Sequence, residues 1–359
     1  MKLTMQRLTS LFISLTLVML PVQVFAAKTK AHHRVTNSSK HTVHKSSRVQ
    51  ATTKQRVKLS SRSSKIRVSL RRQQSLESRS FSQIQTFDHL ANDGLLQLAS
   101  SKALIVNQDT GETIYAKGTN IPTPIASVTK LMTAMVMLDA RLPMTEILTV
   151  TDDDVDYLKG SSSKLPVGTR LSRVEMLQLA LMASENRAAS ALGRNYPGGK
   201  EMFVRMMNAK ALELGMVSSH FSDPTGLDSS NVSTAEDLVH MVKAAYQYID
   251  IRRVTTTANY DVYIGNRNYP TNFHNTNGLV REGNWEIGLS KTGYISEAGR
   301  CLVMQATIAG QPMIIVLLDS NGKMTRIGDA NRVRKWIEAN PTPKETVTGE
   351  LMMTKKISG

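Results

Sequence analysis

Cysteine is almost missing. The 359-residue chain has a single one, Cys301, so no internal disulfide can form and the fold must rest on its core. Cys301 itself reads as a small buried residue on a strand. Histidines are scattered, and His89, His220, His240 and His274 stand at no metal-ligand spacing, which leaves no zinc site to read. Long apolar runs are also lacking. The longest near the start, Leu8 to Leu20, is too short to span a bilayer comfortably. Lys2 and Arg7 precede it and Val24-Phe25-Ala26 follows, so residues 1–26 are expected to be a secretory signal, cleaved on export to the periplasm. No cysteine near it offers a lipid attachment point.

Acid is scarce in one stretch. Residues 28–80 hold 15 of the 45 Lys and Arg but one acid, Glu77. Setting aside Lys2 and Arg7, residues 81–359 carry 28 charges of each sign and are neutral. The net charge of +16 therefore belongs to the N-terminal segment. That segment is rich in Ser, Thr, Gln and His and too poor in apolar residues to offset the entropy of ordering. The expected organisation is a signal at 1–26, a basic disordered tether at 27–86, a catalytic body at 87–340 and a tail at 341–359. The tether is expected to meet an anionic wall or membrane surface. A nucleic-acid partner is excluded by export, by the neutral body and by the absence of aromatics among the tether cations before Phe81. Past residue 341, Pro341 and Pro343 and the short remaining length leave no room for a further domain and an amphipathic anchor, so a soluble or wall-associated protein is expected.

Ala103–Asn107 and Thr113–Ala116 flank Asp109-Thr110-Gly111 as a hairpin. Ser127 opens an apolar run through Leu138, read as a buried central helix with Ser127 at its N-terminus. Val174–Leu192 and Glu201–Leu214 read as helices, and Ser233-Thr234-Ala235-Glu236 as a capping box opening another. Cys301–Ile308 and Met313–Leu318 read as strands, and Asn331–Glu338 as a closing helix. The expected fold class is α/β, one antiparallel sheet packed with a helical cluster.

Three motifs occur in order: Ser127-Val128-Thr129-Lys130, Ser184-Glu185-Asn186 and Lys291-Thr292-Gly293. Together they form the S-x-x-K, S-x-N, K-T-G set of penicillin-binding proteins and serine β-lactamases. A second S-x-x-K, Ser161-Ser162-Ser163-Lys164, lies between Gly160 and Leu165-Pro166 and reads as loop. On a helix, residues three apart share a face, so Lys130 can bring its amine beside the Ser127 hydroxyl. A serine is a weak nucleophile until a neighbour takes its proton. Burial and a second cation, Lys291, would lower the Lys130 pKa enough for it to act as that general base. Ser184 is the candidate proton relay between Lys130 and the leaving amine. Asn186 can hold Lys130 and bind a substrate amide. Lys291 and Thr292 can take a substrate carboxylate. Gly293 lets substrate backbone lie close, and the Tyr294 amide can join the Ser127 amide in an oxyanion hole.

From about 95 to 340 the chain resembles the low-molecular-mass penicillin-binding proteins of the D-alanyl-D-alanine carboxypeptidase family. Beyond the triplet, the likeness rests on Ile125-Ala126, Leu131-Met132-Thr133, Asp223-Pro224-Thr225-Gly226-Leu227, Ser233 to Asp237, Tyr294, and Ala298-Gly299. Within the family, Ala183 to Ala189 is similar to the endopeptidase branch, and Glu185 departs from the Gly or Ala more usual before Asn186. The resemblance implies a β-lactamase-like fold and hydrolysis of D-Ala peptides of peptidoglycan through a Ser127 acyl-enzyme. It implies no metal or organic cofactor, and β-lactams as covalent inhibitors. Cleavage of D-Ala-diaminopimelate cross-links is expected, with D-Ala-D-Ala carboxypeptidase action as the alternative. A serine β-lactamase is disfavoured because no Glu-x-x-Leu-Asn lies between Asn186 and Lys291. A non-catalytic wall-binding protein is the remaining rival.

Overall fold

The computed structural model describes residues 96–265 and 268–340. The signal at 1–26, the tether at 27–86, the start of the body at 87 and the tail at 341–359 lie outside the described residues.

Strand β1 (Lys102–Asn107) is apolar on both faces, as a strand covered on both sides must be. Leu104 and Val106 enter one core, Ala103 and Ile105 the other. It pairs with β2 (Thr113–Lys117), as the hairpin reading expected. Three ten-residue strands complete the sheet: β3 (Glu286–Ile295), β4 (Gly299–Ile308) and β5 (Gln311–Ser320). The order is β2-β1-β5-β4-β3, with every pair antiparallel. Ile105 faces Ile315, and Cys301, fully buried, faces Gly293. The late strands thus return to the early hairpin, and β3 is left at the edge.

One face carries helices α1 (Lys130–Asp139), α2 (Arg173–Met182), α3 (Asn186–Arg194), α4 (Gly199–Glu213), α5 (Ala235–Ala245) and α6 (Ile249–Thr255). Helix α1 is buried from Lys130 through Met137, so it runs through the middle of the cluster. A short α7 (Gly278–Glu282) precedes β3. The opposite face is covered by α8 (Thr325–Ala339), whose Val333 and Ile337 pack with Ile105, Leu302 and Met304. Among the described residues, no helix is long and apolar enough to cross a membrane.

Several boundaries differ from the sequence reading. The helix expected over Val174–Leu192 is two, broken at 183–185, where Ser184 takes φ +61°. The break falls where the sequence turns polar, at Ser184-Glu185-Asn186-Arg187, and the motif there reads as a turn between two helical stretches. The closing helix starts six residues before Asn331. At α5 the cap is Thr234, which accepts from the Asp237 amide at 3.1 Å; the motif is shifted one residue from Ser233 and Glu236.

Candidate active site

The chain enters α1 through a 3-10 turn, Ala126–Thr129. Ser127 lies in that turn and Lys130 begins the α-helix proper, which puts both on one face. Lys130 Nζ is 2.7 Å from Ser127 Oγ. Two further acceptors fix the amine: Asn186 Oδ1 at 2.8 Å and the Thr225 carbonyl at 2.6 Å. A neutral amine has two N–H bonds. Spent on Asn186 and Thr225, they leave the lone pair aimed at the Ser127 hydroxyl. Burial takes the Lys130 pKa from 10.5 to about 7, against Asp223 and Glu185, whose charges pull it upward. The group can therefore exchange a proton near neutrality.

Thr225 is presented by a tight turn. Asp223 Oδ1 accepts from the Thr225 and Gly226 amides and from Thr225 Oγ1, while Oδ2 accepts from Asp228 N. Gly226 has φ +79°, and a Cβ there would meet the Ala126 carbonyl oxygen at 1.9 Å. Only glycine lets this turn pack behind the nucleophile.

The break between α2 and α3 supplies the second motif. Ser184 is half-buried in its left-handed conformation, and Asn186 is the first residue of α3. Ala126 is also left-handed, at φ +48°, so two non-glycine residues of the site hold a sparsely populated backbone. Ser184 does not hydrogen-bond Lys130, as the relay reading supposed. Its Oγ accepts from Lys291 Nζ at 2.8 Å.

Lys291, Thr292 and Gly293 are consecutive on edge strand β3. Lys291 is fully buried and also donates to the Thr292 carbonyl at 2.9 Å. Burial first, then the charges of Lys130 and Arg326, hold its pKa well below the ordinary range. A Cβ on Gly293 would lie 2.8 Å from the Ile125 carbonyl oxygen and 3.1 Å from the Ser127 amide nitrogen. Glycine thus brings the strand against the turn that carries the nucleophile, with the Tyr294 residue next in line. The Tyr294 side chain is exposed under the Arg300 guanidinium.

The structure also brings in residues to which the sequence assigned no role in the site. Ser161 Oγ accepts from Asn186 Nδ2 at 2.8 Å. Thr276 Oγ1 accepts from Thr292 Oγ1 at 2.6 Å. Arg326, at the start of α8, keeps buried Nε and Nη1 atoms without hydrogen-bond partners near Lys291. Ser161 lay in plain view within the second S-x-x-K; nothing local marks Thr276 or Arg326.

A family model described as D-alanyl-D-alanine carboxypeptidase matches residues 88–322. The chain is 47% identical over 242 residues to a D-alanyl-D-alanine endopeptidase of Pseudomonas aeruginosa, covering 67% of this chain and 78% of that protein. It is 46% identical over 242 residues to the protein of the same description from Escherichia coli, with the same coverage. Among solved structures, a Streptomyces DD-transpeptidase superposes with a TM-score of 0.63 at 28% identity, covering 68% of this chain and 98% of that one. The sheet and its helices are thus the β-lactamase-like fold of DD-peptidases. On these grounds the chain belongs to the D-alanyl-D-alanine carboxypeptidase family of serine peptidases.

Proposed function

We propose that this peptidase hydrolyses D-Ala-diaminopimelate cross-links of peptidoglycan, with Ser127 as nucleophile and Lys130 as its general base. The observation that carries the site assignment is the 2.7 Å approach of a buried lysine of pKa about 7 to the Ser127 hydroxyl. Ser127 Oγ attacks the D-Ala carbonyl carbon while its proton passes to Lys130. Asn186 Oδ1 and the Thr225 carbonyl then hold the new ammonium. The amides of Ser127 and Tyr294 receive the oxyanion, in keeping with the close approach of Gly293 to the Ser127 amide. The C–N bond breaks as the leaving nitrogen takes the proton that Lys130 received from Ser127, so that Lys130 is neutral again; Ser184, held by Lys291 at 2.8 Å, is the group that relays it. Water, deprotonated by Lys130, then cleaves the ester. Lys291 and Thr292, with the positive charge of Arg326 acting on Lys291, suit a carboxylate next to the scissile bond.

Peptidoglycan peptides are the substrates of this family, and β-lactams acylate it. Both the cross-link and a terminal D-Ala-D-Ala present a D-Ala carbonyl and an adjacent carboxylate. What favours the cross-link is the endopeptidase description of the relatives at 46–47% identity. The deciding experiment offers purified cross-linked dimers and pentapeptide monomers at equal concentration. Loss of dimers with pentapeptides largely spared supports the proposal; D-Ala release with dimers untouched converts the assignment to a carboxypeptidase. Residues 1–26 support export to the periplasm through a cleaved signal, which N-terminal sequencing of the exported protein checks.

A further inference from the structure

The middle motif carries an acid, Glu185, directly between two site residues. The Glu185 side chain is 9% exposed and does not cap α3, the helix it precedes. Its two oxygens reach instead to the second S-x-x-K segment: Oε2 accepts from Ser163 Oγ at 2.5 Å, and Oε1 accepts from the Lys164 amide at 3.3 Å. The same short segment provides Ser161, which takes the Asn186 Nδ2 proton at 2.8 Å. The segment is tied down at both ends. Asp156 Oδ2 accepts from the Ser161 amide at 2.8 Å, and Lys164 Nζ donates to the Asn272 carbonyl at 3.0 Å.

The consequence falls on an amide that could point either way. Asn186 serves Lys130 only with Oδ1 turned towards it; flipped, the amide would present Nδ2 to a donor. Ser161, as partner to Nδ2, selects the useful orientation. We propose that Glu185 is a positioning residue for the acylation of Ser127. It clamps residues 161–164 against the start of α3, so that Ser161 holds the Asn186 amide oxygen on Lys130. This rests on Lys130 being the base, and it gives the apparently spurious S-x-x-K a task.

The test reads the rate at which labelled penicillin acylates Ser127 in the full-length protein, a reaction independent of which peptide bond is cleaved; Ser127→Ala gives the background. Glu185→Ala and Ser161→Ala are each expected to slow acylation about tenfold or more. The double variant should be no slower than the worse single, because both losses act through one amide. Glu185→Gln keeps an acceptor and the side-chain length, and should recover most of the rate. Wild-type acylation by either alanine variant, multiplying losses in the double, or a glutamine variant as slow as the alanine one would each overturn the proposal. Melting curves accompany every variant; if Glu185→Ala fails to fold, Ser161→Ala alone decides, and an unchanged rate there overturns it. A protein that acylates as expected yet leaves cross-linked dimers intact would count against the cross-link assignment alone.

Discussion

At its ordinary pKa of 10.5 a lysine cannot take a proton from serine near neutrality; Lys130 is brought to about 7 by burial. Acylation needs the neutral amine, so lowering the pH protonates Lys130 and removes the base. The acylation rate should rise roughly tenfold between about pH 6 and pH 8 and level off above, measured with labelled penicillin under single-turnover conditions. Lys130→Arg should abolish this reaction, by at least ~10² in rate, because a guanidinium keeps its proton in a protein. The melting temperature separates lost chemistry from lost fold. Lys291→Arg should be milder, since that position offers a substrate carboxylate its charge and transfers no proton. At this scale the sequence was informative because the three motifs are local. Ser127 with Lys130 is a helical i, i+3 pair, and Lys291-Thr292-Gly293 is a run along one strand. What spacing could not show is which partner each polar atom finds. Ser184 meets Lys291 rather than Lys130, and the Thr225 carbonyl, a backbone atom, leaves no mark in a motif of side chains.

Two close approaches between elements set the site. Gly293 on β3 passes the 126–129 turn, and Gly226 lies under the same turn from the other side. Gly293→Ala would set a methyl 2.8 Å from the Ile125 carbonyl oxygen and 3.0 Å from Ala126 Cβ. The strand must then move off the nucleophile, and acylation should fall at least ~10-fold, at a stability cost of about 1–3 kcal/mol. Gly226→Ala is the harsher change, with a methyl 1.9 Å from a backbone oxygen in a left-handed conformation. It should lower the melting temperature more than Gly293→Ala; the reverse order would show that the Asp223 turn can yield. The sheet strands were legible as apolar runs between turns, and α1 as an apolar stretch with no polar side. Less legible were the places where backbone strain decides. The left-handed conformation of Ser184 is marked in sequence only by a polar run, Ser184 to Arg187, and the small hairpin Asn259–Val262 with Thr271–His274 carries mixed polar residues. Such features are fixed by tertiary contacts, here Lys291 on Ser184 and Lys164 on the Asn272 carbonyl, which no short window of sequence contains.

At the scale of the whole chain, charge is divided from chemistry. The site lies among residues whose 81–359 segment carries 28 charges of each sign, while residues 28–80 hold 15 cations and one acid. A neutral body gives no reason to concentrate on an anionic wall, and an excess of fourteen positive charges nearby does. Attraction of this kind is multivalent, so that individually weak contacts add while the effective concentration stays high. It is also screened, because the Debye length falls from about 10 Å at 0.1 M salt to about 3 Å at 1 M. The full-length protein should therefore bind isolated wall sacculi or anionic vesicles at low salt and be released by about 0.5 M salt. A full-length variant with the 15 Lys and Arg of 28–80 changed to Gln should stay in the supernatant at every salt concentration, while acylating with penicillin at the wild-type rate. The last measurement matters because it separates location from catalysis. Equal retention of both proteins at low salt would assign residues 28–80 the part of a spacer, whereas retention lost together with acylation would mean that the substitutions had reached the body.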